Sequence, residues 1–564
     1  MKTIRKNSMV IFSTLLLIFV VIFVTEKEST GSLQFQIERG ATTQNITVFD
    51  GEDGNYYVFL PSYSSMEDVR MILPFGQTYS LNNVQLSNGM SCEIFELEQP
   101  YQLSVDDMEV AILWFYQSRN VATMYIDTVS GDMQKIHEDK NYEEFASMVL
   151  HLPDGSVNYV DKRCKLKGRG NSTWACDKPP YLLTLSDNGD LLDMGSAKKW
   201  VLLANAYDET NLNNKLIFDL ASQVGFEWSP ECQYVDLYLN GEYNGLYLLS
   251  EKIEVSSNRV DIDTASGEFL CKVDTPSRVD RLKYYLESSM GRIIEICSEG
   301  SLSTIGVDDI SYLVYQMEKE IQSGNDLSES ELLDLDSWVR RYLIDEISGN
   351  IDSDLTSSYF YYADGKYFAG PIWDYDMSLG NSLLNQEPNA FIAKNAMKRR
   401  ERVSAYYREL IDNNSFYKRV VELYNSEYAS ILQDMINHGL DEQIKLIQAA
   451  SKMNRIRWCD MYDEWRVISG EALVHSTEEL KEYFIKRVQF LNKAWLEEID
   501  YCTVQFEKSR HSPHWNISVE KGSVLETTYF DLINTVWVDY QTGEPVDFQK
   551  PITRDMIVIP QTTE

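Results

Sequence analysis

The sequence predicts an α+β fold with strands and helices largely segregated along the chain, and three observations predict it. Residues 32–130 carry short strand-like runs, such as 55–60 and 110–116, separated by Gly, Asn and Asp turns. From about 403 to 500 the apolar residues recur at helical spacing. Residues 501–564 return to short strands with turns at Glu520-Lys521-Gly522 and Gln541-Thr542-Gly543. A chain of 564 residues suggests three or four domains, at about 150 residues each. The expected boundaries are 1–31, 32–130, 131–500 and 501–564.

The first segment is read as a targeting element. Lys2, Arg5 and Lys6 precede an apolar run at 9–24, broken only by Ser13 and Thr14. Its length falls between a signal-peptide core and a full membrane span. Glu26, Lys27 and Glu28 follow instead of a small-x-small cleavage site, which favours an uncleaved signal anchor with its positive end in the cytoplasm. A cleaved signal peptide is the alternative, and either reading places the remainder outside the membrane.

Composition narrows the function. Hydrophobic residues make up 44% of the chain, enough for a sizeable core. A net charge of −36 argues against nucleic-acid or anionic-membrane binding. Eight cysteines outside the membrane would be permitted to pair, but no CxxC and no Cys/His cluster of zinc spacing occurs, and buried free thiols are equally compatible.

The middle of the chain mixes elements. Residues 182–185 are strand-like. Asp208 can cap a helix with Leu212, Leu216, Leu220 and Val224 on one stripe. Val235, Leu237 and Leu239 alternate before an Asn240-Gly241 turn, and 246–249 return. Asp336 can cap a helix containing Trp338, Val339, Leu343 and Ile347. Ser476 and Glu479 form a capping box ahead of Leu480, Phe484, Val488, Leu491 and Trp495. These stripes read as core.

Two constellations carry chemistry. The first is a hairpin: an aromatic run from Ser358 to Tyr362, the turn pair Asp364-Gly365, and a return from Tyr367 to Trp373. Asp352 lies 12 residues before Asp364 and Asp374 lies 10 after it, so closing the hairpin brings carboxylates from its two mouths together. Close carboxylates repel unless a cation or proton sits between them, and oxygen-only ligands suit Mg²⁺ carrying a phosphate substrate. A solvated acidic loop is the competing reading, since 87 residues are Asp or Glu. The second is a basic, glycine-bearing stretch, Lys165 to Trp174, followed by Lys178-Pro179-Pro180-Tyr181. Glycines flanking Arg169 permit close backbone approach to a ligand, and Arg169 and Lys178 can neutralise phosphate oxygens. A tight hairpin with surface charges explains the same residues. The basic run 398–402 reads as a solvated helix face or a dock for an acidic peptide. Asn171-Ser172-Thr173 fits a glycosylation sequon, and the six histidines form no catalytic or metal pattern.

Taken together, GRGNSTW with KPPY, KKWVLLANAYDETNLNNK, VDLYLNGEYNGLYLLSEKI, and NIDSDLTSSYFYY with GPIWDYDMSLG resemble the CotH kinase family of spore-coat-type atypical protein kinases and their secreted bacterial relatives. The tail resembles the β-grasp-like internalin-type B repeat of Gram-positive surface proteins. The resemblance implies a two-lobed, kinase-like core at 131–500, with ATP as co-substrate and Mg²⁺ or Mn²⁺ as cofactor. It implies that Asp352 orients or deprotonates the acceptor hydroxyl and that Asp374 binds the metal, with Asp376 a competing or additional ligand. Arg169 and Lys178 would contact phosphate, Glu251 would lie at the adenine hinge, and Asn214 would face the lysine from its helix. Asn350 and Asp354 are weaker candidates. The chain departs from ordinary protein kinases: there is no GxGxxG and no HRD, and Ser357 stands five residues after Asp352 in place of a metal-binding Asn. The expected activity is phosphoryl transfer to a Ser/Thr hydroxyl of a surface or secreted protein. The competing functions are a catalytically inactive surface scaffold or adhesion protein and a nucleotidyl (AMP) transferase.

Overall fold

A computed structural model describes residues 33–39, 42–350, 352, 355–381, 387–393, 405–469, 474–507, 514–525 and 535–561. The expected membrane segment, Asp354 and the run 398–402 lie outside these residues. The chain divides into two compact units, one running to Gln117 and including Gly241–Tyr243, the other covering the remainder.

The first unit is all β. A three-stranded sheet orders Thr42–Thr47, Gln34–Arg39 and Val69–Ile72. A six-stranded sheet is centred on Tyr56–Leu60, Met108–Gln117 and Pro100–Val105. Along Met108–Gln117 Ala111, Leu113 and Phe115 alternate inward, and Phe115 meets Phe35 of the smaller sheet edge to face at 5.5 Å. The unit ends at Gln117, short of the expected boundary at 130, because Ala122–Thr128 pairs with strands of the second unit.

That unit begins with a closed seven-stranded barrel: β1 Ala122–Thr128, β2 Glu143–His151, β3 Val157–Gly168, β4 Tyr181–Asp190, β5 Ser196–Leu203, β6 Cys232–Leu239 and β7 Glu242–Glu251. The order around the barrel is β1-β2-β3-β4-β5-β7-β6, closed by parallel pairing of β6 with β1. Between β5 and β6 lies helix α1, Asn213–Gln223, which buries Leu216, Ile217, Leu220 and Ala221. Asp208 does serve its start, at a distance: its carboxylate accepts the Asn213 N–H at 2.8 Å, and the helix begins at Asn213 rather than directly after Asp208.

A five-stranded sheet follows, built from β8 Phe269–Asp274, β9 Tyr285–Glu287, β10 Ile293–Ile296, β11 Ser358–Ala363 and β12 Lys366–Ala369, in the order β9-β10-β8-β11-β12. The β11–β12 turn is the predicted Asp364-Gly365 pair, both residues with positive φ (50° and 80°), as a two-residue hairpin of matching twist requires. The return strand stops at Ala369, four residues short of expectation. Pro371 has no N–H to extend the ladder.

Helices α2 (Val307–Gln322) and α3 (Leu335–Ser348) precede the hairpin. The cap of α3 is Asp334, which accepts the Ser337 N–H, rather than Asp336, which pairs with Arg419. Gly349, in the left-handed region, ends α3, and the Asn350 N–H returns to the Asp345 carbonyl at 2.9 Å. The helical region continues through α4 (Asn414–Leu423), α5 (Leu440–Arg457) and α6 (Thr477–Trp495), the last opening with the predicted Ser476–Glu479 capping box. Strands Tyr501–Glu507, His514–Glu520, Trp537–Asp539 and Met556–Pro560 form a separate sheet around Val504, Phe506, Trp537 and Val558. Cys92, Cys164, Cys176, Cys232, Cys271, Cys297 and Cys459 are free thiols.

Candidate functional site

The end of α3 and the loop after β12 converge on the first turn of α1. Asn213 donates from its side chain to the carbonyls of Asp376 (3.2 Å) and Ser378 (2.8 Å), and Asn214 accepts the Tyr375 N–H at 2.8 Å. The Tyr375 hydroxyl donates to Asp345 of α3 at 2.7 Å, and Asn350 donates to the same carboxylate oxygen at 3.2 Å. Asn350 in turn accepts the Asp352 N–H at 3.0 Å. Arg341 closes this hub: it pairs with Asp345 at 3.0 Å and donates to the Pro371 carbonyl at 3.2 Å. One buried Arg–Asp pair thus ties the Asp352 turn and the Asp374 loop to a single helix.

Beside this frame is a cavity of about 170 Å³. Asp352, Asp374, Asp376, Arg169 and Asn214 all line it. Asp374 sits at φ 73°, a left-handed conformation uncommon for a residue with a Cβ, and accepts the Ser357 hydroxyl at 2.9 Å. Burial, and then the charges of Asp374, Asp208 and Asp352, hold the Asp376 carboxyl well above the usual carboxylate range. Asp208 is pushed up to about 6 by burial, against the hydrogen bonds from Thr210 and Asn213.

Cations face these carboxylates. The Arg169 guanidinium lies over the Trp373 ring at 5.3 Å; burial lowers its pKa, and Asp374, Tyr359 and Asp376 work in the other direction. The glycines beside it have local tasks. A Cβ on Gly168 would lie 2.2 Å from the Trp174 ring, and Gly170 sits at φ 87°. Gly168 thus admits an indole rather than a ligand. Lys272 of β8 and Arg278 also line the cavity. Burial works against the Lys272 charge, but Tyr359, Glu295 and Asp274 outweigh it and raise its pKa. Arg278 pairs with Asp274 at 3.1 Å and donates to Thr356 at 2.9 Å. Sequence reading missed both. The one cue was a lysine within the apolar strand FLCKVD.

Lys178 and Glu251 are not brought to the cavity. The Lys178 side chain is fully buried, donating to the carbonyls of Ala204 (2.8 Å) and Leu246 (2.6 Å) and lying over the Tyr247 ring. Glu251 is engaged by Arg259 and accepts the Glu231 N–H at 2.9 Å.

Among the described residues no three His, Cys, Asp or Glu side chains form a self-sufficient metal cage. The cavity fits a metal in the way Mg²⁺ is commonly bound, by one or two carboxylates together with substrate phosphates. Asp374 and Asp376 would be the carboxylates for such an ion, and the mutual repulsion around Asp376 is what a cation would relieve.

A comparison with protein-family descriptions matches residues 166–491 to the CotH kinase protein family. The match covers more than half of the chain and spans the candidate site, and the chain belongs to the CotH kinase family. Membership makes kinase-type chemistry the class of function to which the chain is assigned. No curated protein matches the chain. Among the described residues no helix is long and apolar enough to cross a membrane.

Proposed function

We propose that the chain is an extracytoplasmic atypical protein kinase, held at the membrane by residues 9–24, that transfers the ATP γ-phosphoryl group to a Ser or Thr hydroxyl of a surface or secreted protein. The observation that carries this reading is the meeting of Asp352, Asp374 and Asp376 with Arg169, Lys272 and Arg278 in one cavity. Barrel and α1 serve as the nucleotide lobe, α2–α6 as the second lobe, and the tail as an internalin-like surface module.

In this reading Arg169, Lys272 and Arg278 hold the phosphates, and Asp374 with Asp376 would hold Mg²⁺ or Mn²⁺. When bound there, the metal would supply neutralisation of phosphate charge. Asp352 accepts the hydroxyl proton as the acceptor oxygen forms its bond to the γ-phosphorus. The bond from that phosphorus to the β-bridging oxygen breaks, its electron pair leaves on ADP, and atoms and charge balance. Asn214 and Asp345 position the Asp374 loop by bonding the Tyr375 N–H and hydroxyl.

The test is to incubate the purified chain with ATP and Mg²⁺ or Mn²⁺, with candidate surface proteins, and to read intact masses. Gain of one phosphate supports the proposal. Gain of AMP identifies a nucleotidyl transferase, and no gain with any acceptor or metal favours a scaffold.

A further inference from the structure

Three cations line the cavity, and three more flank it. Lys140 donates from Nζ to the carbonyl of Gly170, a cavity-lining residue, at 2.7 Å. Lys167 stands two residues before Arg169 on the chain leaving β3, so the two begin on the same face. Arg281 is exposed and shares the short helix Pro276–Arg281 with Arg278. Asp139 and Asp280 adjoin Lys140 and Arg281 in sequence, yet among the described residues Lys140, Lys167, Arg169 and Arg281 have no carboxylate within ion-pair distance. Lys272 and Arg278, by contrast, are matched by Asp274 and Glu295.

These cations are close enough to oppose one another. Burial, and then the charges of Arg281, Arg169, Arg278 and Lys167, lower the pKa of Lys140. Like charges gathered with no ion pair among the described residues are unfavourable in an empty site and favourable around a bound anion. The three cavity-lining cations suffice for a nucleotide's phosphates, and Lys140, Lys167 and Arg281 stand outside the cavity lining. The net charge of −36 does not override this, because at physiological salt charges beyond about 8 Å are largely screened.

We propose that the acceptor is an acidic protein segment, with carboxylates or already-attached phosphates beside its hydroxyl, recognised by Lys140, Lys167 and Arg281. This rests on the protein-kinase reading and names the substrate class of that site. Local electrostatic selection of this kind changes partner choice more than overall affinity.

The test uses the full chain with a non-hydrolysable ATP analogue and Mg²⁺. Fluorescent peptides of one length are titrated, each with a single serine flanked by Glu, by phosphoserine or by Lys. The same peptides are then offered with ATP. Binding of the Glu or phosphoserine peptide at least tenfold tighter than the Lys peptide is expected, with the two arms separating carboxylate from phosphate recognition. The double variant Lys167→Glu/Arg281→Glu should abolish the preference while leaving nucleotide affinity within twofold, and Lys167→Gln/Arg281→Gln should weaken it. Equal binding of all peptides overturns the inference. So does a variant that loses nucleotide and not peptide, since its cations then serve ATP. Preferential acidic binding with no phosphate transfer removes the kinase reading and with it the segment's role as acceptor, which overturns the inference as a statement of substrate class.

Discussion

Lys178 shows how a residue's chemistry depends on what it reaches. In sequence it is a basic residue beside a basic, glycine-bearing stretch. In the fold its ammonium is enclosed by two carbonyls and a tyrosine ring. Removing it leaves two buried acceptors without donors, which costs about 1–3 kcal/mol for each such group. Lys178→Met should therefore lower unfolding free energy by at least that amount in urea titration, while calorimetry of the folded variant finds ATP affinity within about twofold of the parent. Burial depresses its folded pKa well below the ordinary lysine value of 10.5. The unfolded chain then binds the proton more readily, so the site's penalty is full below the folded pKa and is relieved as pH rises from there toward 10.5. The stability difference between parent and Lys178→Met should grow across that window, and a pH-independent difference would contradict the burial argument. Arg169 has the opposite history: its neighbours Gly168 and Gly170 were visible, but the reason for Gly168 was not, because the Trp174 ring that excludes a Cβ comes from a fold-back no local pattern announces.

At the scale of elements, the hub on α3 is the part of the site most exposed to mutation without touching substrate. Tyr375→Phe deletes the 2.7 Å bond to Asp345, a buried hydrogen bond to a charged group worth about 1.5–3 kcal/mol. The variant should lose stability of that order, and its metal-dependent nucleotide affinity should fall as well, because the Asp374 loop loses one of its ties. Unchanged affinity in a destabilised protein would show that Asn213 and Asn214 hold the loop alone. The β11–β12 hairpin was legible because Asp364-Gly365 demands a particular backbone and the flanking aromatics pair across it, Tyr362 with Tyr367 at 4.9 Å. Its consequence, the meeting of Asp352 and Asp374 at one cavity, followed from counting residues to either side of the turn. The cap of α3 was misplaced by two residues because Asp334 and Asp336 are chemically equivalent in sequence, and only the pairing of Asp336 with Arg419 separates them. Lys272 and Arg278 were illegible because β8 becomes a wall of the site through pairing with β11, some ninety positions later in the chain.

For the whole molecule, the helical region and some strands of the barrel, at 182–185, 235–239 and 246–249, were anticipated, but the barrel and its closure were not. The parallel pairing of Ala122–Thr128 with Cys232–Leu239 joins segments more than a hundred residues apart, and strand propensity carries no information about it. The tail sheet has its own core, yet it also meets the segment before it: Ser518 accepts the Phe391 N–H at 3.0 Å, and Tyr501 packs on Phe490 at 4.9 Å. A chain ending at Asp500 should melt several degrees lower, while ATP affinity changes by less than about tenfold, roughly 1.4 kcal/mol. A larger loss in a folded truncation would make the tail part of the nucleotide site. The central claim is that three carboxylates at one cavity divide their work between metal and acceptor. Calorimetric titration of ATP at fixed Mg²⁺ into the parent, Asp352→Asn and Asp374→Asn tests it most directly. The account predicts near-parental affinity without phosphate transfer for Asp352→Asn, and loss of metal-dependent binding for Asp374→Asn. Equal affinities in all three proteins would contradict it.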